Sequence, residues 1–174
     1  MGPPVDAAAA EIEGVTFPDR YVVQGVDLEL NGTALLRYRV FFKVYVAALY
    51  LGQGVAPEDL FADTPKRLEI EYFYAFKAAD FAKSTIEGIA RNVAPGAFED
   101  LQPRIEEMNR LYRDVAPGDR YALTYLPGVG TELSLNGAPL GRVAGAGFGA
   151  AMFSIWLGDV PLDSDLKRRL LGKR

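Results

Sequence analysis

Apolar and polar positions along the chain follow two rhythms, and the switches between them mark out its elements. Between Val15 and Tyr74 the period is two. The runs 15–17 and 21–30, punctuated by Pro18-Asp19 and Gly25, are β-type, and Asn31-Gly32 is a turn signal before the long run RYRVFFKVYVAALYL (37–51). A short helix is predicted from Pro57 to Phe61, and RLEIEYFY (67–74) alternates as a half-exposed strand does. From Ala78 the apolar spacing lengthens. Ala82, Ile86, Ile89, Ala90 and Val93 form one helical stripe; Phe98, Leu101, Ile105, Met108, Leu111, Tyr112 and Val115 form a second, with Pro95-Gly96 between them. Pro103 is expected to kink the second helix or mark where its regular part begins. After Pro117-Gly118 the alternation returns over 119–126 and 130–143, with Asn136-Gly137 as a hairpin turn, and a small-residue helix (144–157) precedes an amphipathic tail.

This order contains no βαβ alternation. It predicts an α+β domain: a large antiparallel sheet with a helical layer on one face, leaving room for a small hydrophobic ligand between the layers. Residues 14–174 are read as that single domain and residues 1–13 as a flexible segment. The alanine run at 7–10 resembles the small-residue tail around a secretory cleavage site, which would make the mature protein periplasmic or secreted. A flexible native start to a cytoplasmic protein is the alternative.

The run 37–51 raises a sharper question. Read as one strand, it puts Tyr38, Val40, Phe42, Val44, Val46, Ala48 and Tyr50 on one face, and Arg37, Arg39, Lys43 and Tyr45, then Ala47, Leu49 and Leu51, on the other. The cations either face water or meet a buried anion.

Composition narrows the chemistry. A net charge of −4 argues against nucleic-acid binding, which draws on a basic surface. The chain has no Cys and no His, so thiolate nucleophiles, imidazole bases and nearly all transition-metal sites are excluded, and no cofactor is implied. No apolar run is long enough for a transmembrane helix. RVAGAGFGAA (142–151) nearly spells a dinucleotide-binding fingerprint, with Asp165 about 20 residues on, but no second parallel strand can follow it. Close packing of a helix start against the sheet explains it better. The pairs Glu69/Glu71, Glu106/Glu107 and Asp163/Asp165 are read as solvated or capping carboxylates. Tyr45, Tyr72, Tyr74 and Tyr125 are the tyrosines able to point a hydroxyl into a pocket.

Phe17-Pro18, Asn31-Gly32 with Arg37, KVYVAALYL (43–51) and FSIWLGDVPLDSDLKRRLLG (153–172) together resemble the bacterial chalcone-isomerase-like proteins. The resemblance implies an open-faced β-sandwich with a ligand cleft between sheet and helices. In plant chalcone isomerases an arginine polarises the substrate, supported by Thr, Tyr, Asn and Ser/Thr hydrogen bonds; fatty-acid-binding relatives hold a carboxylate with the arginine and a tyrosine. Arg37 matches the arginine and Tyr45 the fatty-acid binders' tyrosine. The catalytic tyrosine falls on Phe81, the asparagine on Gly88, and the C-terminal Ser/Thr on Ile155 or its neighbour Ser154.

Phe81 and Gly88 offer no side-chain hydrogen bond, so the resemblance favours a non-catalytic binder of a small anionic amphiphile over an isomerase or intramolecular lyase. A third reading is an interaction module whose cleft is plugged by bulky side chains such as Phe81 and Trp156. One difficulty stands. Eight residues of straight strand put Arg37 about 26 Å from Tyr45, so the two share a ligand only if the chain folds back; the same holds for Arg39, the reserve candidate. A buried guanidinium on a carboxylate would contribute about 1.5 to 3 kcal/mol to binding.

Overall fold

The computed structural model describes residues 8–173. Seven antiparallel strands form the main sheet in the order β3-β4-β5-β6-β7-β8-β9: Arg20–Val23, Val26–Tyr38, Phe42–Gly52, Lys66–Tyr72, Arg120–Leu126, Gly130–Leu135 and Ala138–Val143. Every neighbour in the sheet but one follows its partner directly in sequence. The exception is β6 to β7, where the chain leaves to build α1 (Ala78–Asn92) and α2 (Pro95–Leu111). A final pair of helices, α3 (Ala146–Leu157) and α4 (Ser164–Leu170), closes the same face. A separate ribbon of β1 (Ala9–Ile12) and β2 (Val15–Pro18) lies on the other. This is the α+β, open-faced sandwich expected from the alternation of rhythms.

Several local expectations shift. Ordered structure begins at β1, inside the segment read as flexible, since Ala9 to Ile12 pair with Pro18 to Val15; residues 1–7 lie outside the described residues. Pro95 opens α2 at its first turn, where a missing N–H costs nothing, and the helix runs through Pro103. Asn31-Gly32 makes no turn but sits inside β4, at a register shift opposite β5. The glycine-rich 142–151 stretch is packing, as argued: a Cβ on Gly149 would meet the Tyr125 ring at 2.6 Å, so α3 can lie on the sheet only through glycine. No helix among the described residues is long and apolar enough to cross a membrane.

The two faces of the sheet carry separate cores. The larger joins Ala47, Leu49, Leu68, Ile70, Leu123 and Leu133 to α1, α2 and the almost wholly buried α3. The smaller packs Val15 and Phe17 of the ribbon onto Leu28, Val46, Ala48 and Tyr50.

Beside this smaller core, of the pair Glu69/Glu71 read as solvated, Glu69 is buried and Glu71 half-buried. Glu69 is only 2% exposed; it accepts hydrogen bonds from Tyr21 Oη (2.8 Å) and Arg67 Nη2 (3.1 Å), and Arg120 Nη1 lies 3.7 Å away. Arg120 also donates to Glu71 at 3.0 Å. The Arg67 and Arg120 guanidinium groups stack over the Tyr21 and Phe17 rings. The alternation of Glu69 and Glu71 correctly placed them on the face away from the helices. It could not show that the ribbon and β3 cover that face.

Candidate functional site

The run 37–51 is not one strand but the end of β4, a three-residue loop and β5, with Tyr38 paired to Phe42. Arg39 and Val40 in the loop have φ of 50° and 60°. Left-handed backbone is ordinarily left to Gly, Asn or Asp, and neither Arg nor Val signals it, so the alternation carried no warning of the reversal. The fold-back removes the distance problem. Leu36 pairs with Tyr45 and Arg37 with Lys43, which brings Arg37 and Tyr45 to about one cross-strand step apart, roughly 8 Å. The register shift at this point also turns both Val44 and Tyr45 toward the helices.

From this hairpin a tapering cleft leads inward between the sheet and the helices. Its mouth, about 610 Å³, is bordered by Leu36, Arg37, Tyr38, Phe42, Tyr74 and Leu162. The middle recess, about 230 Å³, shares Leu36, Val44, Phe76 and Leu162 with the mouth and adds Tyr45, Tyr72, Phe81, Ile155 and Trp156. The innermost, about 60 Å³, shares Tyr72, Phe81, Ile155 and Trp156 with the middle and ends at Thr85, Tyr112, Leu133 and Met152.

The walls are aromatic and aliphatic, and few polar atoms in them are uncommitted. At the inner end Thr85 Oγ1 and Tyr112 Oη share a 2.6 Å hydrogen bond, and burial pushes the Tyr112 phenol up to about 12. Tyr121 Oη accepts from Arg113 N and donates to Arg113 O, each at 2.7 Å. In the middle recess the balance differs. Trp156 Nε1 donates to Tyr45 Oη at 3.2 Å, and the Tyr45 proton has no acceptor among the described residues. The Tyr72 hydroxyl has no partner among them either, although the ring packs edge-on to Tyr45 at 5.6 Å and to Phe81 at 5.4 Å. Burial pushes both phenols well above the usual tyrosine range, with the Trp156 bond working the other way at Tyr45. Both are therefore neutral donors at any ordinary pH.

Arg37 is exposed, and its guanidinium donates only to Val40 O, at 3.4 Å. The cation weighed as buried faces water, at the rim of the cleft. Arg39 stands at the exposed loop with its guanidinium 5.3 Å from the Tyr38 ring centre, outside the cleft. Phe81 and Ile155 are cleft walls. Ser154 turns away: its hydroxyl donates to Ala151 O at 2.6 Å, within α3. Gly88 lies beneath Ile155, whose two γ carbons would come within 2.8 Å of an added Cβ, so its role is to let α1 approach α3. Of the four tyrosines singled out, Tyr45 and Tyr72 reach the middle recess, Tyr74 stands at the mouth, and Tyr125 bonds Asp63 elsewhere. The remaining wall residues, among them Leu36, Phe76, Thr85, Tyr112 and Met152, left no mark in the sequence, because a cavity wall and a filled core use the same residue types. Among the described residues no group of three or more Asp or Glu gathers to hold a metal ion.

The family model for chalcone isomerase-like proteins matches residues 9–172. No curated protein matches the chain. Among solved structures, a fatty-acid-binding protein of Arabidopsis thaliana superposes with a TM-score of 0.73 at 15% sequence identity, covering 94% of this chain and 96% of that one. At that identity the likeness is one of fold.

Proposed function

We propose that the chain, which belongs to the chalcone isomerase-like family, binds a single-chain amphiphile with an anionic head, of which a fatty acid is the type, without turning it over. The observation that carries this is the cleft itself: a tapering apolar space with the Arg37 guanidinium at its rim, exposed and in no ion pair among the described residues, and two neutral phenol donors, Tyr45 and Tyr72, halfway down. A taper suits one chain better than a fused-ring ligand, and the apolar walls supply the binding energy. That the structural neighbour is a fatty-acid-binding protein supports the reading. Catalysis of the isomerase type has less to work with, since the positions of its tyrosine and asparagine carry Phe81, which cannot hydrogen-bond, and Gly88, which is covered by Ile155.

Trp156, the only tryptophan, lines the middle and inner recesses, so ligand entry is readable from intrinsic fluorescence. Titration with a long-chain fatty acid and with the alcohol of equal length is expected to give saturable Trp156 changes for both. Arg37→Ala weakens the acid by about 1 kcal/mol or less, up to roughly fivefold, because an exposed cation is screened, and leaves the alcohol unchanged. No saturable change with any acid, together with no acid carried through purification on native mass spectrometry, overturns the reading.

A further inference from the structure

The hairpin between β4 and β5 presents an apolar tip with nothing packed on it. Phe41 is 86% and Val40 73% exposed, and Tyr38 and Phe42, the last and first residues of the two strands, are more than half exposed. An apolar apex this bare marks an interaction surface. Val40 is β-branched and sits at φ 60°, an unfavourable conformation for such a residue, at the apex of the turn.

Charge indicates the kind of partner. Arg37, Arg39 and Lys43 flank the tip, and no Asp or Glu occurs between Leu30 and Pro57, in a chain whose net charge is −4. Lys43 is paired with Glu13, and Asp163 stands across the mouth, where its carboxylate caps Leu166 N. Glu13, whose carboxyl is held down chiefly by Lys43 and in part by Arg37, and Asp163 and Asp165 border a recess that Arg37 also lines. Neither Arg37 nor Arg39 forms an ion pair among the described residues, and Arg39 stands clear of all three carboxylates. Apolar side chains at a turn, ringed by cations with flexible stems, match the boundary of an anionic bilayer: the rings and Val40 enter the acyl margin while the guanidinium groups stay among the headgroups. The tip is also continuous with the mouth of the cleft, where Tyr38 and Phe42 meet Tyr74 and Leu162, both exposed.

We infer that the β4–β5 hairpin tip docks this protein on anionic lipid bilayers, with Val40 and Phe41 inserted and Arg37 and Arg39 on the headgroups. This goes beyond ligand binding in the cleft and is tested without it.

Because the chain has no cysteine, Phe41→Cys gives a unique site for an environment-sensitive fluorophore. On vesicles of phosphatidylcholine with about 30% phosphatidylglycerol, the label is expected to brighten and shift to the blue, with partitioning about tenfold stronger than on pure phosphatidylcholine and weakened by salt. The same label on Val22→Cys, exposed on β3, stays unchanged. In flotation with unlabelled protein, Arg39→Ala reduces binding to the anionic vesicles about fivefold, the effect of one cation near such a surface. Val40→Asp with Phe41→Asp abolishes it while the melting temperature holds. No response of the Phe41→Cys label to anionic vesicles overturns the proposal. So do equal responses at both labels, which mean unoriented adsorption, and self-association through the tip with no vesicle binding, which means a protein partner.

Discussion

Strand β6 shows both faces of the sheet at once. Its odd residues, Arg67, Glu69 and Glu71, enter the charged network beside the β1–β2 ribbon, while Lys66, Leu68, Ile70 and Tyr72 face the helices. Glu69 and Tyr72 are buried almost equally, at 2% and 6% exposure, yet their polar atoms fare differently. On the outer side nearly every charge meets an opposite one, with Arg67 Nε the exception left without a partner. On the helical side the walls surround a void, and the protons of Tyr45 and Tyr72 point at no acceptor. Matched groups of that kind are structural, because nothing remains for a ligand to satisfy; unmatched donors beside an apolar cavity are what a ligand can use.

The strongest way to break this comparison is Glu69→Ala. It takes the carboxylate from half-buried Arg67, leaves Arg120 with Glu71 alone and removes the acceptor of Tyr21, and unfolding in urea is expected to show a loss of about 3 kcal/mol. A loss below about 1 kcal/mol would mean that the arginines simply turn to water and the outer network is ordinary surface.

A matched pair of substitutions sharpens it. Tyr21→Phe removes a donor to a buried carboxylate and is expected to cost about 1.5 to 3 kcal/mol of stability, with acid binding intact. Tyr72→Phe removes a hydroxyl that has no partner, so stability stays within about 0.5 kcal/mol while a fatty acid binds about 1 kcal/mol more weakly. Urea unfolding and the Trp156 titration, run on both variants, give the four values. If the two substitutions exchanged effects, the assignment of the faces would be reversed.

A pH-dependent test concerns Lys66, the one charged side chain of β6 that faces inward. Its ammonium donates to Leu60 O at 2.6 Å and Ala62 O at 3.1 Å, beside the Tyr125 ring, and burial lowers its pKa to about 8 from 10.5, with Asp63 opposing. Between these two values the unfolded chain binds more protons than the folded one, so stability contributed at this position rises with pH across that window. Relative to Lys66→Met, the wild type should gain about 1.5 kcal/mol between about pH 8 and 9.5 in parallel urea titrations. A flat difference would mean that the carbonyls hold the ammonium charged throughout.

Much of this was legible in the chain. Period-two runs, a central block at period 3.6 and hairpin signals such as Asn136-Gly137 determined the antiparallel sheet and its helical layer, because alternation and helical spacing record which residues must leave water. Of the residues the resemblance named, Arg37, Tyr45, Phe81 and Ile155 lie on the cleft or its rim, while Arg39 stands outside it, Ser154 turns back into α3 and Gly88 lies beneath Ile155. Other features were decided only in three dimensions. The reversal at Arg39–Phe41 uses residues with no turn preference, so only pairing across the hairpin reveals it. The burial of Glu69 depends on β3 and a ribbon from distant sequence covering the sheet. Whether a patch of Tyr, Phe, Leu and Ile closes into solid core or leaves a cleft depends on how far the helices stand from the sheet. Alternation along a chain reports the side a residue faces; what stands opposite it is set by segments far away in sequence, and only packing brings them there.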